Sequence, residues 1–414
     1  MRINATIQVN GRPLRRAYVE HIVMGVGADM YMTDLQGQIR DNDFNKGIDS
    51  FTGNADIRII CQNPIVRVLD GNLANIGVYQ DVSITDGATV NLNTNAEQRN
   101  HYNVLNRMEI AYEVVFQPLS FFSNLADSAF PLGRKSSLRA TRDQAKRIDL
   151  SFPDNFPSPL AFVEPERLVD KFPLMHIKSN ASDSRLFGTG GSLPTLAPGE
   201  LAHAMHFSSL SEAKRSHAQD SYITFLASSV AAGLPGTHNF TVRTTSEVAY
   251  IEAADWFSQN FMEFMRARQG GTSTLVTPVA ITPALHAEFA ASEWLRLTTP
   301  RLLPQPVPAL SGVLGAGLGG NTGGGAPLPG SLHLAPAVSR LLRQPMAGLT
   351  GGDMEGAVYA AIFADFGSQV GLDFAASTYF KANALTFGEY RAFVNSHHPE
   401  HSAALEAARS FWGL

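Results

Sequence analysis

The chain opens with apolar and polar positions in alternation. Ile3, Ala5, Ile7 and Val9 share one parity, with Asn4, Thr6 and Gln8 between them, and Asn10-Gly11 follows as a turn signal. A period of two predicts a strand with one buried face. The pattern returns at Ala55-Asp56-Ile57-Arg58-Ile59-Ile60, at Val66-Arg67-Val68-Leu69 before Asp70-Gly71, and at Ala88-Thr89-Val90-Asn91-Leu92. Several short strands separated by turns predict a small β-sandwich-like domain over residues 1–94.

The period changes near Asn95. Tyr102, Leu105, Met108 and Tyr112 recur at three- and four-residue spacing, which predicts an amphipathic helix over 96–122 that stops near Pro118. Residues 123–172 are rich in Pro, Asp and Ser and read as loop, and Phe172–Lys178 reads as a strand. Gly188-Thr189-Gly190-Gly191 lacks the Lys-Ser/Thr ending of a phosphate-binding loop and reads as a turn. Two long helical patterns cover 198–230 and 245–268. The stretch 299–332, with Pro304, Pro306, Pro308 and Gly323-Gly324-Gly325, offers little to bury and reads as a Pro/Gly-rich insertion. Helical periodicity resumes at Met354 and runs to the end. The expected class is α+β: the β-sandwich-like domain, then a mainly helical domain over 95–414 that carries the insertion.

Composition sharpens this picture in three respects. With 414 residues, 44% hydrophobic and 17% charged, the chain can bury a large core and is not of disordered composition. Its 32 basic and 37 acidic side chains give a net charge of −5, so nothing draws it globally to nucleic acid. The single cysteine, Cys61, excludes an internal disulfide and a thiolate zinc cluster, and its strand context predicts an inert buried thiol. No apolar run reaches the roughly 18 residues that span a bilayer, and the N-terminus lacks the apolar core of a signal peptide. Neither nucleic acid nor a membrane is therefore an expected partner. The expected location is the cytoplasm, or outside it by export without a cleaved signal peptide. Oligomeric state is left open.

Candidate chemistry lies in two segments about fifty residues apart. The first is Pro198-Gly199-Glu200-Leu201-Ala202-His203-Ala204-Met205-His206-Phe207; the second is Ser246-Glu247-Val248-Ala249-Tyr250-Ile251-Glu252-Ala253-Ala254-Asp255-Trp256-Phe257. Glu200 and His203 alone describe an ordinary i, i+3 pair on a helix face. Glu252 and Asp255 repeat that spacing among Ile251, Ala253, Ala254 and Trp256, which predicts a buried face. Buried carboxylates need partners, and His203 is the candidate.

Together the segments resemble the active-site helices of the gluzincin zinc metallopeptidases, the thermolysin-like clan. There H-E-x-x-H lies on one helix and a glutamate ligand on the next, often within E-G-x-A-D-x-F. Two histidines four apart face one ion, the glutamate beside the first is the general base, and a third ligand comes from the second helix. The resemblance implies Glu200 as vestigial base, His203 and Glu252 as metal ligands, and Asp255 as an acid orienting a histidine from behind. Gly199 stands at the first histidine position and breaks the pattern.

Two ligands make a poor zinc site, since catalytic zinc takes three plus water. The resemblance therefore implies a degenerate, inactive homologue kept as a peptide- or protein-binding or structural module. No resident cofactor is expected, and zinc is the ion to consider. The alternative is an active zinc metallopeptidase using His203, Glu252, a substitute histidine and Glu200 as base. His206 is the substitute on the same helix, and His176, His217 and His238 are more distant candidates.

The likeness extends along the chain. The 96–122 helix resembles the helix preceding the active site, and Leu174-Met175-His176-Ile177 is similar to the strand that holds an extended peptide. Glu355–Phe366 resembles a later buried helix, and Thr386-Phe387-Gly388-Glu389-Tyr390 continues the likeness. His397, His398 and His401, like the basic run Arg134, Lys135, Arg139, Arg142, Lys146 and Arg147, read as solvated surface.

Overall fold

The computed structural model describes residues 1–23, 26–41, 43, 45–69, 78–92, 96–116, 148–151, 161–166, 173–177, 196–220, 245–269, 279, 282–298 and 351–412. The Asp70-Gly71 turn, the glycine segment 188–191, the basic run 134–147, His238 and the stretch 299–332 lie outside the described residues. The architecture is α+β, with β-sheets first and a mainly helical region after them. The chain forms two compact units, Met1–Ile110 with Phe122–Asp154, and Ala111–Phe121 with Asn155–Leu414. That division puts most of the first helix with the sheets, beyond the boundary drawn at residue 94.

In the first unit the strands are β1 (Arg2–Ile3), β2 (Ala5–Val9), β3 (Arg12–Pro13), β4 (Tyr18–Val23), β5 (Val26–Thr33), β6 (Ile39–Arg40), β7 (Ile48–Asp49), β8 (Asn54–Ile60), β9 (Val66–Val68), β10 (Tyr79–Thr85), β11 (Ala88–Asn91) and β12 (Ile148–Ser151). One sheet runs β10-β8-β4-β5-β6, a second runs β11-β2-β3, and β1 pairs with β7. β12 lies parallel to β9 with Ile148 opposite Val66. The alternation read in β2 is the alternation observed: Ala5, Ile7 and Val9 are buried and Thr6 and Gln8 are partly exposed. Cys61 is buried, and burial pushes its thiol well above the usual range.

Helix α1 (Ala96–Ala111) brings polar side chains into this core. Glu109 is wholly buried, with Arg16 Nη1 at 2.9 Å from Oε1 and Asn63 Nδ2 donating to Oε2 at 3.1 Å. Asn63 Oδ1 in turn accepts from the Ile65 and Val66 amides at 2.9 and 2.6 Å. Tyr102 Oη donates to Ile59 O at 2.6 Å. Removing one member of a buried charge pair leaves the other uncompensated. Glu109→Ala should therefore cost about 3–5 kcal/mol in urea unfolding. A loss below about 1 kcal/mol would rank the contact with surface ion pairs.

The second unit begins with a π-helical turn, Tyr112–Phe116, that continues α1 in the chain. The hairpin of β13 (Ala161–Glu164) and β14 (Leu174–Ile177) follows, with Val163 opposite Met175. Then come α2 (Leu196–Ser209), a helical segment at 212–220, α3 (Thr245–Arg268), α4 (Pro283–Thr298), α5 (Gly351–Val370), α6 (Leu372–Lys381), α7 (Phe387–His397) and α8 (Ser402–Phe411). α3 lies at the centre, packed on α2 and on α5. The helix expected over 198–230 breaks near Leu210-Ser211, where Asn383 Oδ1 accepts from the Ser211 amide at 2.7 Å. Among the described residues no helix is long and apolar enough to cross a membrane.

The start of α7 is a cap built from the chain's own Thr-x-x-Glu. Thr386 Oγ1 accepts from the Glu389 amide at 3.2 Å. Glu389 Oε2 accepts from the Leu385 amide at 2.7 Å and from Lys214 Nζ at 2.6 Å. Partial burial opposes ionisation, but the Leu385 amide and Lys214 outweigh it and hold this carboxyl below its usual value. A depressed carboxyl stabilises the fold above its unfolded pKa, and that stability disappears as pH falls through the folded value. Glu389→Gln should therefore melt below the wild type at pH 7. The gap should close below about pH 4, as read by circular dichroism across a pH series.

Candidate functional site

α2 is apolar nearly all round: Leu201, Ala202, Ala204, Met205 and Phe207 are buried, so it is a core helix. Pro198 sits in its first turn, where no intrahelical N–H is needed. At its end Ser208 Oγ donates to Ala204 O and Ser209 Oγ to His206 O, at 2.9 and 2.7 Å. α3 carries Glu247 in its first turn and Arg266 and Arg268 in its last, both of the sign that suits the helix dipole. Two stable core helices thus face one another, and the polar side chains between them have little access to water.

Three of those side chains meet. His203 Nε2 lies 3.9 Å from Glu252 Oε2. His203, Glu252 and Asp255 each offer one ligand-type atom within 4.8 Å of the others, and all three are buried. Glu200, on the same helix as His203, is buried as well. The resemblance gives Asp255 a supporting position behind a histidine; here one of its oxygens stands within the same small group of donors as His203 and Glu252.

Gly199 explains how Asp255 comes so close. A Cβ at this position would lie 1.4 Å from Asp255 Oδ1, 2.7 Å from its Cγ and 2.8 Å from Gln259 Nε2. The carboxylate therefore rests on bare backbone, in the volume where a side chain at 199 would begin. Gln259 Nε2 donates to Oδ1 at 2.7 Å and fixes it there. Where α5 meets α3, Gly356 plays a similar part. A Cβ there would meet Glu252 Cβ at 2.6 Å and Ala249 O at 3.3 Å, so the glycine lets α5 close over Glu252.

His206 is carried elsewhere. Its Nε2 donates to Ala384 O at 2.9 Å, and its ring lies among Phe207, Tyr250, Tyr379 and Phe380. His176 lies 3.5 Å from Glu164, and His217 lies 3.0 Å from Glu247. His398 and His401 pack against Phe374, and His397 against Phe393. Sequence reasoning missed Gln259, although a polar residue four beyond Asp255 is the one signal that could have found it. It also missed Gly356, whose role depends on helix spacing alone.

The electrostatics follow from burial. Burial first, and then the charge of Asp255, push the Glu200 carboxyl well above the ordinary range. Burial likewise pushes Asp255 up to about 7, against the donation from Gln259 that favours its ionised form. A pocket with these groups can hold protons on its acids or a cation among them. No family model, curated protein or solved structure matches the chain.

A Gly→Ala change inside a helix normally stabilises by about 0.5–1 kcal/mol. At Gly199 it should instead destabilise by about 1–3 kcal/mol, the cost of overpacking. In an Asp255→Ser background, with the obstructing carboxylate gone, that cost should fall by at least about 1 kcal/mol in a double-mutant cycle read by urea unfolding. An additive cycle would mean that the two positions do not touch.

Proposed function

We propose that the helical unit is a degenerate homologue of the gluzincin zinc metallopeptidases, without peptidase activity, kept as a peptide- or protein-binding or structural module. One observation carries this reading: the Asp255 carboxylate fills the space above Gly199, beside Glu200, His203 and Glu252. A histidine at 199 would need that volume. The donors that the resemblance implies converge from two helices as its logic requires, and the position that departs from the pattern is the one that has been filled. Burial pushes the Glu200 carboxyl up and favours its protonated form, which takes no proton from water. His206 is bound to Ala384 and does not stand in for the missing ligand.

The pocket can serve as structure, since His203 and Glu252 join two core helices where neither could be solvated.

The test is to incubate the purified full chain with one equivalent of Zn²⁺ and a mixed peptide library, and to read cleavage by mass spectrometry against Glu200→Gln. The expected result is no cleavage above that control, together with a melting temperature lowered by several degrees in His203→Ala. Zinc-dependent cleavage that Glu200→Gln abolishes would overturn the reading.

A further inference from the structure

We propose that His203, Glu252 and Asp255 bind one divalent transition-metal ion, with Asp255 as a direct ligand in the place that the residue at 199 cannot supply. The inference uses the two-helix pocket of the proposed function and is independent of whether that pocket descends from a peptidase.

Glu252 and Asp255 are three residues apart on α3 and so share a face, while His203 enters from α2. Three donors from two helices surround one side of an ion and leave the remaining positions to water. Ligands held about 2.1 Å from one ion stand about 3–4 Å apart. The donor atoms already lie within 4.8 Å of one another, so side-chain adjustment suffices to close the set.

A second observation points to a ligand. Asp255 is only 2% exposed and Glu200 only 7%. Asp255 Oδ2 and Glu200 Oε2 are buried with no hydrogen-bond partner among the described residues. Buried polar atoms are nearly always paired, and each exception needs an explanation. A cation held by Asp255 supplies one for Oδ2.

The charge also fits. Two ionised carboxylates and a neutral imidazole bring −2 to a dehydrated site, and a divalent ion cancels it. Gln259, donating to Asp255 Oδ1, is the kind of partner that orients a ligating carboxylate from behind. One nitrogen and two carboxylates form a harder donor set than two histidines and one glutamate. Such a set suits Mn²⁺ and Fe²⁺ as well as Zn²⁺.

The full chain, stripped with a chelator, is titrated with Mn²⁺ and followed by electron paramagnetic resonance, with Zn²⁺ titrated in parallel by calorimetry. One ion should bind per chain. Asp255→Asn and Glu252→Gln should each weaken binding at least tenfold, while His217→Gln should bind as the wild type does. Circular dichroism verifies that each variant is folded. Should the acid variants fail to fold, electron spin-echo modulation of Mn²⁺ in the wild type still decides: coupling to a single imidazole nitrogen is expected, and none or two overturns the assignment. Absence of stoichiometric binding, or unchanged affinity in folded Asp255→Asn, overturns it too. Absent binding with no peptide cleavage overturns this inference and leaves the proposed function standing. Glu200-dependent cleavage with Asp255-dependent binding does the reverse.

Discussion

The contact between the Asp255 carboxylate and the bare backbone at Gly199 governs how closely two core helices approach. Ordinarily a side chain on each helix keeps the axes about 8–10 Å apart and fills the space between them. Here one helix gives up its side chain and the other contributes a charged group to the gap. The consequence is a polar pocket inside an apolar interface, closed on one side by Gln259 and on the other by the imidazole of His203. Gly356 repeats the device where α5 meets α3: its lack of a Cβ lets α5 close over Glu252. The central helix is thus gripped at two points where a neighbour has no side chain, and both points adjoin the acids.

Such a pocket needs support from the surrounding core. Taking a charge out of water costs several kcal/mol, so the packing around it must be good. Tyr250 and Tyr379 show the quality of that packing. Their rings stack at 4.6 Å, Tyr379 Oη donates to Tyr250 O at 2.6 Å, and Tyr250 Oη donates back to Tyr379 O at 3.4 Å. This reciprocal pair ties α3 to α6 two residues before Glu252 and five before Asp255, and His206 lies against it as an aromatic neighbour. His206 therefore belongs to the scaffold that holds the pocket.

How much of this was legible in the sequence depends on the range of the interaction. Period-two alternation in β2 and β8 located strands correctly because one face of each meets the core. β5 escaped that reading, since Val26–Thr33 carries glycine and aspartate in its first half and no clean alternation. The meeting of His203 with Glu252 and Asp255 was legible from the burial expected of the two acids, which need a partner, and from the family resemblance. The position of Asp255 above Gly199 was not, because it depends on an interhelical distance and a rotamer. His206 misled for the related reason that a shared helix face does not specify a partner: the Ala384 carbonyl, 178 residues away in sequence, decides where its proton points.

The acids themselves argue for a pocket with work to do. An internal site that merely filled space would be more stable with apolar side chains of similar volume, since replacing buried ionic groups in this way is often neutral or stabilising. Retaining Glu200, His203, Glu252 and Asp255 together means tolerating two carboxyls, Glu200 and Asp255, that burial pushes up. A proton and a divalent cation are alternative solutions to the same electrostatic problem, and metal ligands must give up their protons to bind. Burial, which pushes the Asp255 carboxyl up, sets the proton against the cation at this group. A glycine at 199 offers no donor of its own and leaves room for the Asp255 carboxylate beside His203 and Glu252.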